Sequence, residues 1–358
     1  MVDYIIVGAG LAGVAFAEKA LSNNKSIIVF EDDSQNSSRI AAGLYNPVIL
    51  KRFSSTYQAQ EQLDSMNLFY NGIQSRFNRQ FNHVMPILRR FFSIEEQNNW
   101  YDVSDKPALS AFITREISNE KFDGLDSPYG FGKVMQTGWV NTEAFLQAYV
   151  DNLEERKLLV CETFDYSKLE LNVDFVSYKG INARHIIFAE GYGIHSNPYF
   201  KYLPLDGTKG EMLIIEAHGL DLNVIINSGV FILPLGEGLF KVGATYNWAD
   251  KTPTPTEEGK VELIEKLNEV ITCNYKIISH LAGVRPTVKD RKPLVGTHPL
   301  HTNLHVLNGL GTRGVMLAPS MADELFQHVE SNKPLPIEID IKRYRASLLP
   351  ADRNGRKD

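Results

Sequence analysis

Near the start of the chain, Gly8-Ala9-Gly10-Leu11-Ala12-Gly13 stands between a short apolar run, Tyr4 to Val7, and a run of small residues, Leu11 to Leu21. Each glycine meets a separate physical demand. Gly8 permits a tight turn, Gly10 lets the backbone approach a pyrophosphate closely, and Gly13 lets a helix pack against the preceding strand. The amide groups and positive end of that helix then face the phosphates. Glu31 closes the next apolar run, Ser26 to Phe30, where a carboxylate accepts hydrogen bonds from ribose hydroxyls. Strand, glycine turn, helix, strand and acid in this order predict a βαβ dinucleotide site.

The glycine turn alone does not choose between nicotinamide and flavin dinucleotides. Beyond Glu31 runs Ser37-Ser38-Arg39-Ile40-Ala41-Ala42-Gly43-Leu44, whose hydroxyls and small side chains suit close contact with a pyrophosphate and ribityl chain. Near the other end lie Ala282-Gly283-Val284-Arg285-Pro286-Thr287-Val288-Lys289-Asp290-Arg291-Lys292-Pro293-Leu294-Val295-Gly296 and Asn308-Gly309-Leu310-Gly311-Thr312-Arg313-Gly314-Val315-Met316-Leu317-Ala318-Pro319. With the N-terminal turn, these blocks resemble, in order and spacing, the FAD-dependent D-amino-acid oxidase, glycine oxidase and sarcosine oxidase family. Ala183 to Gly191 and Thr208-Lys209-Gly210-Glu211 are similar to two further family segments, although Glu190 stands where the family carries a small residue.

The resemblance implies noncovalent FAD, since neither cysteine nor histidine occupies the family's covalent attachment positions. It implies cofactor contacts from Gly8, Ala9, Gly10, Leu11, Ala12, Gly13, Glu31, Ser37, Ser38, Arg39, Ala42, Gly43, Leu44, Gly191, Gly309, Gly311, Thr312, Arg313, Gly314 and Val315. The implied reaction is hydride transfer from the CH–NH group of a small amine or amino acid to flavin N5, with oxygen or another acceptor taking the electrons. A substrate carboxylate calls for a guanidinium that binds both oxygens. Arg285 is the first candidate, with a structural ion pair as its plain alternative; Arg313 is the second, for the carboxylate or the flavin edge. Glycine-oxidase-like sequences carry an arginine one position before Arg313. Lys241 matches by pattern the lysine with which sarcosine-oxidase-like enzymes assist oxygen, and strand alternation equally allows a solvent-facing role. Tyr246 either hydrogen-bonds a substrate carboxylate or packs in its sheet.

Gly43-Leu44-Tyr45-Asn46-Pro47, Gly243-Ala244-Thr245-Tyr246 and Arg313-Gly314 also resemble the oxidase domain of bacterial tRNA wobble-uridine-modifying enzymes. This leaves oxidation of a modified tRNA uridine as an alternative, and flavin binding without turnover as another.

The resemblance, together with the alternation of strand-like and helix-like segments, implies an α/β fold with a Rossmann-like FAD-binding domain and a substrate domain built on a mixed, largely antiparallel sheet, of the glutathione-reductase-like, D-amino-acid oxidase type. The expected division is 1–80, 140–205 and 280–345 for the discontinuous FAD-binding domain and 81–139 and 206–279 for the substrate domain, with 346–358 a frayed tail. Helices are predicted near Ser55 to Phe77, Thr142 to Glu155, Pro255 to Ile271 and Val315 to Val329, and an antiparallel sheet from Gly210 to Tyr246. The 358 residues, 43% of them hydrophobic, suffice for two lobes with a core. A net charge of -6 offers no broad cationic field, so small molecules are the expected partners and nucleic acid is not. The start Met1-Val2-Asp3 has no basic leader and its apolar run is short, predicting neither signal peptide nor membrane anchor and a cytoplasmic location. Cys161 and Cys273 are read as buried apolar residues, and the spacings of His280, His298, His301 and His305 predict no metal set. Arg89 and Arg90 are read as a strand-edge or surface ion pair.

Overall fold

In the computed structural model of the chain, which describes residues 1–347, an α/β architecture divides into two compact units. The first comprises Met1–Ser38, Leu146–Gly207 and the chain from Arg285; the second comprises Arg39–Phe145 and Thr208–Val284.

The first unit is built on the strands β1 (Val2–Val7), β2 (Ile27–Glu31), β3 (Leu159–Cys161), β4 (Leu169–Leu171), β5 (Val176–Tyr178), β6 (Ile181–Phe188), β7 (Leu294–Thr297) and β8 (Leu304–Asn308). Their order is β3-β2-β1-β6-β5-β4, with β8 also pairing β6 and β7 pairing β8. The β3-β2-β1-β6 pairs and the β6-β8 pair are parallel, while β4-β5, β5-β6 and β7-β8 are antiparallel. In β1, Tyr4, Ile5, Ile6 and Val7 are all buried, which explains why this strand reads as a continuous apolar run rather than an alternating one. Helices α1 (Leu11–Ser22) and α2 (Gly314–Ser331) cover one face through Phe16 and Phe326, whose rings both pack against Tyr4. A second cluster joins Phe30, Phe164, Tyr178 and Phe188.

The second unit contains an eight-stranded sheet whose central run, Thr208–Glu216, Leu239–Gly243, Phe231–Gly236 and Ile225–Asn227, is antiparallel. Ile225–Asn227 then pairs in parallel with Ile87–Arg90, so the sheet is mixed. The helix Glu257–Asn268 buries Leu263 and Leu267 among sheet residues including Leu213, Ile215 and Val242.

The boundary within the N-terminal stretch differs from the expected one. Residues 39–80 group with the second unit, because the helix Ala59–Phe77 buries Leu63, Met66, Tyr70 and Ile73 and sets Tyr70 against Phe145, which in turn meets Phe81. The cysteine reading also requires correction. Cys161 is exposed because it ends the outermost strand β3, and Cys273 is half-buried beside Gly219 in a loop. The expected tail, 346–358, lies outside the described residues apart from its first two positions. No helix among the described residues is long and apolar enough to cross a membrane.

Candidate functional site

The glycine turn has a shape that side chains would obstruct. Gly8 adopts φ +102°, and a Cβ there would stand 2.6 Å from the Ala189 carbonyl oxygen. A Cβ on Gly13 would stand 1.8 Å from the Gly8 carbonyl oxygen, so this glycine sets how closely α1 approaches β1. Gly10 differs: a Cβ there would meet only the Ser38 side chain, at 3.2 Å from its Oγ. The Leu11 amide donates to that same Oγ at 3.3 Å. Backbone amides, a serine hydroxyl and the positive end of α1 therefore converge on the space before Gly10, a donor set suited to a pyrophosphate. Glu31 bonds the Ala9 amide through Oε2, while its Oε1 accepts from the Asp32 and Asp33 amides at 3.0 and 2.9 Å. Carboxylate oxygens retain further lone pairs, which can accept from ribose hydroxyls.

The C-terminal blocks meet this turn within the first unit. The Asn308 side chain donates to the Gly191 carbonyl at 2.9 Å, and its Oδ1 accepts from the Gly309 amide at 2.8 Å. The Gly311 amide donates to the Pro286 carbonyl at 3.0 Å, tying the loop before α2 to the segment that carries Arg285. A Cβ on Gly314 would reach Leu11 Cδ1 at 3.2 Å. Sequence-distant blocks, including Ala189 to Gly191, thus surround one turn. Arg313 occupies the N-cap position of α2 without a side-chain capping bond; its guanidinium makes no ion pair with a carboxylate among the described residues, and burial lowers its pKa.

Other candidates lie in the second unit. Lys241 sits in a central strand, flanked by Ile214 and Leu233. Its ammonium does not project freely into solvent but donates to the Ala41 carbonyl at 3.3 Å. Burial lowers its pKa, opposed by the Glu143 carboxylate. Gly43, at φ +72°, could carry no Cβ, which would fall 1.8 Å from the Val140 carbonyl oxygen. Tyr246 lies beyond the end of its strand at 62% exposure, which removes the reading that it packs in the sheet.

A family model described as FAD dependent oxidoreductase matches residues 3–328. The chain belongs to the FAD-dependent oxidoreductases. Glycine oxidase of Bacillus subtilis (strain 168) is 23% identical to this oxidoreductase over 359 residues, covering 92% of this chain and 94% of the relative. The tRNA 5-methylaminomethyl-2-thiouridine biosynthesis bifunctional protein MnmC of Marinobacter nauticus is also 23% identical, over 91% of this chain, but this chain spans only 55% of that relative. The crystal structure of glycine oxidase from Geobacillus kaustophilus has the same fold, with a TM-score of 0.76 over 96% of this chain and 97% of that chain at 17% identity.

Several partners in this flavoenzyme were not evident from sequence. Lys209 is fully buried, its ammonium bonding Asp250 at 2.5 Å and the Thr254 carbonyl. Glu211 accepts from Thr256 through both the amide and the hydroxyl, and lies 2.8 Å from His280 Nε2. This network braces the loop after Tyr246. Spacing identified the Lys-Gly-Glu block but gave no sign of its partners some 40 residues away. Arg89 pairs with Glu96 at 2.6 Å and Arg90 with Asp126 at 3.2 Å. Among the described residues no group of three or more His, Cys, Asp or Glu side chains is arranged to hold a metal.

Proposed function

We propose that this FAD-dependent oxidoreductase oxidises the CH–NH group of a small amine or amino acid to the imine, with oxygen or another acceptor completing turnover. FAD, when bound, accepts the hydride from the carbon bearing the amine. The turn Gly8 to Gly13, Glu31 and Ser38 would hold its pyrophosphate and ribose, and the Gly309 to Gly314 loop would contribute backbone donors.

The observation that carries the substrate class is Arg313. A half-buried guanidinium with no carboxylate partner among the described residues is costly unless an anion binds it. The Gly311–Pro286 hydrogen bond ties the segment after Arg285 to the same loop, and Arg285 is the proposed second cation for a carboxylate-bearing amine. The glycine oxidase likeness over nearly the whole chain supports this reading. Lys241 is the proposed cation for oxygen activation, and Tyr246 a proposed hydrogen-bond donor to substrate.

The test is an anaerobic screen of amino acids and N-methyl amines for bleaching of the flavin absorbance. Arg285→Met and Arg313→Met should retain FAD yet lose bleaching by carboxylate-bearing amines. Bleaching that persists unchanged in both variants overturns the assignment.

A second reading is favoured by the likeness to MnmC and by an exposed loop in which Lys251 lies 5.9 Å over the Trp248 ring, next to exposed Tyr246. Retention of tRNA carrying the aminomethyl uridine at low salt, with bleaching by that tRNA and by no free amine, would replace the first reading with this one.

A further inference from the structure

Glu190 stands two residues past the end of β6, between Ala189 and Gly191 of the glycine cradle. The Ala189 carbonyl blocks any side chain on Gly8, and a Cβ at Gly8 would lie 3.5 Å from the Glu190 Cα. The Gly191 carbonyl, on the other side, accepts from Asn308 at the end of β8. The carboxyl is held by one side chain from the 3₁₀ turn Tyr166–Lys168 and one from Asn197, which follows the 3₁₀ turn Gly191–Ser196. The Tyr166 hydroxyl bonds Oε1, and Asn197 Nδ2, on a fully buried residue, donates to Oε2 at 2.7 Å. The charged group bearing on it from the neighbouring strand β2 is Asp32, just past Glu31.

We propose that Glu190 is a positioning residue for FAD whose protonated form is the cofactor-binding form, so that FAD binding takes up a proton at this side chain. This rests on the cradle reading given above. The chemistry follows from the charges already present. Although burial favours protonation of Asp32, hydrogen bonds involving Ser34 and Thr163 hold it below its ordinary value, so it is anionic at neutral pH. Held at the glycine turn, the FAD pyrophosphate would add negative charge there. An ionised Glu190 would add another anion in a poorly solvated place, where like charges oppose one another. Burial already pushes the Glu190 carboxyl up to about 7, against the hydrogen bonds of Tyr166 and Asn197 and with the help of Asp32. When protonated, Glu190 donates its proton to the Tyr166 oxygen and keeps accepting from Asn197, so both contacts survive neutralisation. A glutamine amide makes the same pair of bonds with no titration.

The sign is fixed by linkage. A ligand that favours the protonated form binds more weakly as pH rises through the free-protein value. Titrating apoprotein with FAD at constant ionic strength, and following flavin fluorescence between pH 5.5 and 9, should show the dissociation constant of the wild type rising about tenfold above pH 7. Glu190→Gln should bind with the wild-type affinity of low pH across the whole range. Tyr166→Phe, which removes a donor to the carboxylate, should move the midpoint to higher pH. Equal pH slopes in wild type and Glu190→Gln, with FAD bound by both, overturn the proposal alone. If neither binds FAD at pH 6, the cradle assignment fails with it. Should Glu190→Gln fail to fold, an unmoved midpoint in Tyr166→Phe overturns the proposal.

Discussion

Gly13 and Lys241 show how one side chain, absent or present, sets a local outcome. With the Gly8 oxygen 1.8 Å from where its Cβ would stand, Gly13→Ala must push α1 off the turn. Overpacking of this kind costs about 1–3 kcal/mol, and the displaced helix N-terminus no longer meets the phosphates. The expected result is a lower melting temperature with at least about tenfold weaker FAD binding by fluorescence titration. Lys241 is held differently, by its bond to Ala41 within a small-residue block. Lys241→Met should leave FAD binding and anaerobic bleaching intact while slowing reoxidation by oxygen about tenfold or more, seen by stopped-flow mixing. Unchanged reoxidation would reduce this lysine to a structural tie between its strand and Ala41.

Helix starts and strand pairs set the stability of individual elements. The helix Thr142–Glu155 begins where its sequence predicts, because Asn141 Oδ1 accepts from the Ala144 amide at 3.1 Å. Asn141→Ala should lower unfolding stability by about 1 kcal/mol in a denaturant titration. On β8, fully buried His305 bonds Thr297 Oγ1 at 2.9 Å through Nδ1 and His185 of β6 at 3.0 Å through Nε2. Burial, reinforced by His185 and His328, depresses its pKa well below 6.5, so the native state keeps this ring neutral. The unfolded chain takes up a proton there once pH falls below about 6.5, so this stabilisation is present above that pH and is lost as pH falls toward the folded value. Stability measured from pH 7.5 to 5 should fall with acid, and His305→Gln should flatten the slope by up to about 1.4 kcal/mol per pH unit. A slope unaltered by the substitution would place the acid sensitivity elsewhere.

On the scale of the whole molecule, the first unit gathers segments from both ends and the middle of the chain, so one bound cofactor stabilises elements far apart in sequence. FAD at one hundred times its dissociation constant should stabilise the fold by about 2.7 kcal/mol, measured as a rise in melting temperature over the apoprotein. The sequence by itself determined the glycine turn, the acid that ends β2, the family of the C-terminal blocks and most helix positions. Those features are local: φ requirements, capping and apolar periodicity act within a few residues. Only the tertiary structure decided that residues 39–80 leave the first unit, because the contacts of Tyr70 with Phe145 link residues 75 apart. It also decided that Cys161 is exposed on an edge strand, that Lys241 bonds Ala41, and that Glu190 meets Tyr166 and Asn197. Spacing along a chain carries no record of which distant side chain will supply a charge or a hydrogen bond, and packing alone makes that choice.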